Sequence, residues 1–384
     1  MSMAGKPRLL FVVTEDWYFA SHRFDLALAA RDAGFDVALA TRVSSWRQSI
    51  ESEGIRVIPL QYMRRSSRHP WVELQVIREL SSLYRDWKPD VVHHVAAKPV
   101  IYGGIAARRA GVKGVVAALA GLGHAFASDR ASARMQRPAL LVAYRAALKQ
   151  RNVRLIVQNP EDERFVLEQD LVRPQELRVI RGSGVDTQVF RPRAEPDTVP
   201  TFVLVARMLW DKGVGEFVEA ARQLRQRNVP ARFILVGEAD QENPAAISRT
   251  ELRRWHAEGP VEWWGHRSDI TEVLAGAHVA CLPSYREGLP KSLLEAAACG
   301  LPLIATDVPG CREIAVHEET ALLVPPRNVP ALAEAMMRLA SDAELRRRLG
   351  AAGRERVCEY FSTERITGQT TSLYRELIDA CASP

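Results

Sequence analysis

The sequence contains no long apolar run. Its longest, such as LLFVV at residues 9–13, fall far short of the roughly 18–20 residues that a membrane-crossing helix needs, and the opening MSMAGKPR lacks the apolar core of a signal peptide. A cytoplasmic protein is the expectation. Cysteine is sparse as well. The five present, at 281, 299, 311, 358 and 381, form neither a CxxC pair nor a zinc spacing, which argues against a disulfide framework and a zinc module. Cys281, Cys299 and Cys311 have apolar or small neighbours and read as reduced core thiols. Low-complexity tracts and close internal repeats are missing too, and no helix-turn-helix or RNP-like pattern occurs.

What is present is a globular composition, 47% hydrophobic and 26% charged, in a chain of 384 residues. Single cores stop growing near ~250–300 residues, so two domains are expected. Charge is uneven: the first 190 residues carry 28 Lys and Arg against 19 Asp and Glu, a net +9, and the remainder 24 against 27, a net −3. A basic half suits nucleic acid, an anionic membrane surface or a phosphorylated substrate. Arg64, Arg65 and Arg68, near Tyr62 and Trp71, read equally as a phosphate-facing surface and as a solvated basic loop.

Short β-rich runs alternate with amphipathic helical stretches. In the first half PRLLFVVTE, DVALATR, IRVIPL, PDVVHHV and GVVAALAG predict strands, and FDLALAARDAGF a helix closed by Gly34. The series restarts after the proline-rich RPRAEPDTVP at 191–200. There TFVLVAR, ARFILVG, VEWWG, HVACLP, LPLIATD and TALLVPP predict strands, separated by helices such as GVGEFVEAARQLRQR and PALAEAMMRLAS. A βαβ series implies a parallel sheet, so the expectation is two doubly wound α/β domains joined near residue 190. Ligands of such sheets collect beyond the carboxyl ends of the strands, and between two such domains in the cleft.

Two segments following predicted strands could carry chemistry. After TFVLVAR, the run ARMLWDKGVGEF places Arg207 at a strand end, Lys212 five residues on, and Gly213 and Gly215 at a helix start. Two cations, free amides and the positive end of a helix dipole suit a diphosphate, although a loop with two solvated cations fits this segment equally well. Neither a GxGxxG fingerprint nor a GxxxxGK[ST] loop occurs there.

After HVACLP comes SYREGLPKSLLEAAACG at 284–300. Gly288 permits a tight turn, Pro290 fits the first helical position, Leu293, Leu294, Ala297 and Ala298 form an apolar stripe, and Gly300 with Pro302 ends the helix. The amides of Gly288, Leu289 and Lys291 would then point out of the helix start, beside Glu287, with Glu295 more than a turn further along. Taken alone, the two glutamates read as a dipole complement and a solvated face.

Taken together, ARMLWDKG, VEWWGHRSDI, LPSYREGLPKSLLEAAACGLPLIATDVPGCREI and ALLVPPRN resemble the nucleotide-sugar half of retaining glycosyltransferases of family 4. The E-x7-E spacing of Glu287 and Glu295 matches that family's signature, and the four segments span most of residues 201–330. The resemblance implies the GT-B fold, two Rossmann-like domains facing a central cleft. Residues 1–190 would bind the acceptor, 191–365 the nucleotide sugar, and a C-terminal helix at 366–384 would pack back on the first domain. It also implies that Arg207 and Lys212 bind the donor diphosphate, Glu287 the donor sugar and Glu295 the ribose. Gly288, Leu289, Pro290 and Lys291 would line the donor, with Gly265, His266 and Arg267 near the base. No divalent metal and no cofactor is expected, because protein cations take the metal's place.

The first half resembles a branch that builds cell-surface polysaccharide, lipopolysaccharide or lipid-linked oligosaccharide, through TEDWYFASHRFDLALAARDAGFDVALATR, PDVVHHVAAKPVIYGGIAARRAGV and ALAGLGHAFASD. Acceptors in that branch are commonly sugars on polyprenyl diphosphate. Trp17, Tyr18, His22, Arg23 and His124 become acceptor-side candidates, His124 also a catalytic one. Two features depart from the family pattern. The loop expected after the first strand reads Thr14-Glu15-Asp16-Trp17-Tyr18 where many members have Gly-Gly, and the position where many carry a histidine is Ala120, with His124 four residues later. His93 and His94 read as packed histidines, and of Trp263 and Trp264, adjacent on a strand, one should be core.

The implied activity is retaining transfer of a sugar, an N-acetylhexosamine favoured, from a UDP-sugar to a glycan or lipid-linked acceptor. The partners would be that donor, that acceptor and an anionic membrane surface met through the basic half, with no nucleic acid. A nucleotide-sugar epimerase or phosphorylase on the same scaffold is the alternative, since fold alone does not fix function. A nucleic-acid-binding protein is a third, opposed by the missing motifs.

Overall fold

The computed structural model describes residues 5–64, 70–119, 131–240 and 243–382. The chain divides into two units. The first comprises residues up to Ser183 together with those from Thr363 onward, and the second is Gly184–Ser362. The proline-rich segment at 191–200 and the boundary expected near 190 therefore lie inside the second unit.

In the first unit β1 (Arg8–Glu15), β2 (Asp36–Arg42), β3 (Arg56–Pro59), β4 (Val91–Val95), β5 (Gly114–Ala118), β6 (Val153–Val157) and β7 (Leu177–Val179) form a parallel sheet in the order β3-β2-β1-β4-β5-β6-β7. Successive side chains point to opposite faces. Leu10 and Val12 of β1 thus join one core cluster, and Leu9, Phe11 and Val13 join the other. The Thr363–Ala382 helix covers the second face, adding Ile366, Leu373, Tyr374 and Leu377 to its core. Two strands escaped the reading of the sequence. β7 has only three residues, and β6 carries Arg154, whose guanidinium reaches Glu376 at 2.6 Å, so its apolar run is broken by a charge.

The loop expected at residues 14–18 is not one: β1 continues to Glu15 and passes directly into the Asp16–His22 helix. Asp16 explains the abrupt change. Its buried carboxylate accepts from the amides of Ser44, at 2.7 Å, and Trp46, at 3.2 Å, just beyond β2.

In the second unit β8 (Thr201–Val205), β9 (Arg232–Val236), β10 (Glu262–Trp263), β11 (Val279–Leu282), β12 (Leu303–Thr306) and β13 (Ala321–Val324) form a parallel sheet in the order β10-β9-β8-β11-β12-β13. All six coincide with predicted strands. Val279 and Cys281 of β11 face one core, and Ala280 and Leu282 the other. Burial pushes the thiols of Cys281 and Cys311 up, as suits inert core cysteines, with Cys299 only half-buried. Trp263 packs against the core while Trp264 is exposed. Among the described residues, no helix is long and apolar enough to cross a membrane.

Candidate functional site

Strand order in the second sheet reverses between β8 and β11: chain order runs outward from β8 on one side and from β11 on the other. Ligands of open α/β sheets bind beyond the carboxyl ends of the strands at such a reversal. Both segments singled out in the sequence begin there. Beyond β8 the chain makes a 3-10 turn at Trp210–Lys212, then passes through Gly213 into the Val214–Gln226 helix. Gly213 is left-handed, with φ of 70°, and a Cβ on it would lie 2.0 Å from the carbonyl oxygen of Pro283. Only glycine lets the turn carrying Lys212 approach the loop beyond β11 so closely.

That approach joins the two segments. Lys212 Nζ lies 2.5 Å from Glu287 Oε1, and the fully buried Ser284 donates its hydroxyl to the same oxygen at 2.6 Å. Thr306 at the end of β12 in turn donates to the Ser284 carbonyl. A Cβ on Gly310 would meet the carbonyl oxygens of Gly288 at 2.4 Å and Glu287 at 2.5 Å, so the start of the Pro309–Ile314 helix presses on the Glu287 turn from behind. The Glu287 carboxylate, nine-tenths buried, is therefore held by Lys212 from beyond β8 and by Ser284 from beyond β11, with Thr306 of β12 bracing Ser284.

The Lys291–Ala298 helix follows. Pro290 occupies its N-cap position instead of the expected first helical position, and the positive end of the helix dipole faces the Glu287–Leu289 turn. Glu295 lies one turn beyond Lys291, with 3.7 Å between Nζ and Oε1. Burial pushes the Glu295 carboxyl above its usual range, and Lys291 opposes that shift.

The other candidates take other partners or face solvent. Arg207 pairs with Asp240 beyond β9 at 2.6 Å. Gly265 is left-handed and its carbonyl accepts from the Gly237 amide at 2.8 Å, while His266 is exposed and Arg267 grips Asp269 and lies 5.6 Å from the Trp264 ring centre. In the first unit Tyr18 stacks on His22 with ring centres 4.3 Å apart, and Trp17 meets Tyr18 edge-on. Arg23 is buried and shares a cavity of about 10 Å³ with His93. His124 lies outside the described residues. The reading of the sequence missed Ser284, Thr306 and Gly310 as site residues. Each stands just after a strand candidate or opens the following helix, and that position was the available signal.

Comparisons with known proteins bear on the whole chain. The family described as "Glycosyl transferases group 1" matches residues 199–342, and "Glycosyl transferase 4-like" matches residues 8–159. The chain belongs to these glycosyltransferases. Among curated proteins, it is 28% identical over 351 residues to the N,N'-diacetylbacillosaminyl-diphospho-undecaprenol alpha-1,3-N-acetylgalactosaminyltransferase of Campylobacter jejuni, covering 88% of this chain and 90% of that one. It is 27% identical to the UDP-Gal:alpha-D-GlcNAc-diphosphoundecaprenol alpha-1,3-galactosyltransferase of Escherichia coli, covering 71% and 72% of the two chains. Among solved structures, sucrose-phosphate synthase of Thermosynechococcus elongatus superposes with a TM-score of 0.82 at 24% identity, over 98% of this chain and 100% of that one. Anabaena HepE, in complex with UDP and glucose, gives 0.77 at 17% identity over 96% and 100%. The glycosyltransferase thus has the GT-B fold, and its relatives work in polysaccharide, lipopolysaccharide or lipid-linked glycan synthesis.

Proposed function

We propose that this glycosyltransferase moves a sugar, an N-acetylhexosamine by preference, from a UDP-sugar to a hydroxyl of a glycan carried on polyprenyl diphosphate, with retention at the anomeric carbon and without a metal ion. The observation that carries this reading is the Lys212–Glu287 pair at the β8/β11 reversal, seated at the start of a helix. A diphosphate arriving there meets Lys212, Arg207 and the helix dipole, which stabilise the leaving group where negative charge develops. Glu287 faces the donor sugar and Glu295 the ribose. The bond from the anomeric carbon to the diphosphate oxygen breaks, the acceptor oxygen bonds to the same face, and the acceptor proton passes to the departing diphosphate. Two relatives named for diphospho-undecaprenol acceptors, and HepE complexes with UDP and UDP-glucose, support the choice of partners. Exposed Tyr62, Arg64 and Trp71 suit contact with the anionic membrane surface where such an acceptor resides.

The test is a thermal-shift screen of UDP-, GDP- and ADP-sugars, followed by transfer to a polyprenyl-diphosphate sugar in EDTA. A donor at 100 times its Kd should stabilise the protein by about 2.7 kcal/mol. Stabilisation by UDP-sugars and transfer undiminished by EDTA are expected. Stabilisation by none of the sugar nucleotides would sink the reading.

A further inference from the structure

Lys212 and Glu287 come from different segments, and one residue, Tyr285, bridges both through its backbone and its side chain. The Tyr285 amide donates to the carbonyl oxygen of Asp211, the neighbour of Lys212, at 2.9 Å. Its hydroxyl donates to Glu216 Oε1, in the first turn of the Val214–Gln226 helix, at 2.5 Å. Along the chain Tyr285 directly follows Ser284, whose hydroxyl holds Glu287. Against the ring, 4.4 Å from its centre, lies the Arg327 guanidinium.

Both partners of the tyrosine occupy unfavourable states. Arg327, in the turn between β13 and the Asn328-capped Val329–Ser341 helix, is left-handed with φ of 59°, a conformation in which a bulky residue is strained and glycine is not. Glu216 Oε2 is buried without a hydrogen-bond partner among the described residues, while its Oε1 accepts from Tyr285. Neither state favours stability by itself. What they share is a grip on one aromatic ring. We propose that Tyr285, clamped between Glu216 and Arg327, is a positioning residue that sets the Lys212–Glu287 pair, and that Arg327 keeps its strained backbone for this purpose.

The catalytic consequence rests on the donor-binding role of that pair, whereas the clamp can be tested without it. The experiment is a double-mutant cycle on stability, with Lys212→Met, Glu287→Gln and both, measured by urea unfolding in the parent, Tyr285→Phe and Arg327→Gly backgrounds. The coupling should fall by at least half in both backgrounds, although Arg327→Gly relieves strain and should melt no lower than the parent. Transfer kinetics form the second arm: Arg327→Gly should lose about tenfold in kcat/KM without losing stability, with Arg327→Lys between it and the parent because a lysine keeps the charge but not the planar stack. Coupling retained in the Arg327→Gly protein overturns the proposal. If no variant, the parent included, binds a sugar nucleotide, the donor reading fails and the cycle alone decides the clamp.

Discussion

In the first unit the strand beside β1 at the order reversal, β4, carries His93 and His94 into the core, where each meets a tyrosine: His93 Nδ1 with the Tyr374 hydroxyl at 2.5 Å and His94 Nε2 with that of Tyr84 at 2.9 Å. The corresponding strand of the second unit, β11, is Val-Ala-Cys-Leu, and its polar groups wait for the loop that follows. Both pairs of polar residues are shielded and close to a partner, yet only the lysine and glutamate stand past the strand ends at an order reversal, the position where open α/β sheets bind ligands. Histidines inside a strand with tyrosine partners hold a helix and a sheet together. A lysine and a glutamate past the strand ends can act on something else.

The contrast breaks most sharply if the second-unit pair proves structural. Lys212→Ala should lower kcat/KM by about 10²–10³ or more and leave the melting temperature within a few degrees. Glu287→Gln should harm transfer more than UDP binding, and Glu295→Gln the reverse. Equal losses of stability and activity in the Lys212→Ala protein would make the pair an ordinary ion pair.

Next in size is Gly310→Ala. The added Cβ has to displace the backbone of Glu287 and Gly288, so a loss of about 2 kcal/mol or more is expected by urea unfolding, together with impaired transfer.

Acid should then separate the units. Burial pushes the His94 imidazole down to about 3 and lowers His93 too. The unfolded chain takes up these protons near 6.5 while the folded one does not, so this stability is complete above about pH 6.5 and is lost as pH falls. Between pH 7 and 5 His94 alone should remove about 2 kcal/mol. Glu295 has the opposite sign: its raised carboxyl favours folding more as pH falls through its folded value. The slope measured from pH 7 to 5 should flatten in His94→Gln, and an unchanged slope would remove the histidine from the account.

The smallest effect belongs to exposed charge. Arg193 and Glu272 pair at 2.6 Å but are about half exposed, so Arg193→Ala should change stability by at most ~0.5 kcal/mol.

Legibility differed between the units for physical reasons. The second-unit strands stood out as short β-rich runs next to turn signals, β10 through Val261, Trp263 and Trp264 despite its Glu262. In the first unit β6 and β7 did not, because Arg154 and Arg178 interrupt them and their charge is satisfied by Glu376, about 200 residues away in sequence. The start of the Asp16–His22 helix was hidden likewise, since the groups that stabilise Asp16 lie beyond β2.

Local pattern by itself determined the alternating α/β architecture, the parallel sheets and the second unit's strands, because periodicity and turn chemistry act over a few residues, whereas Lys212, Glu287 and Glu295 gained their roles as candidates from the family resemblance of several segments together. Only the tertiary structure decided that Lys212 and Ser284 share one oxygen of Glu287, that Arg207 pairs with Asp240, and that Tyr285 stands between Glu216 and Arg327. Those meetings depend on which strand ends the sheet brings side by side, and strand order is set by packing over the whole unit.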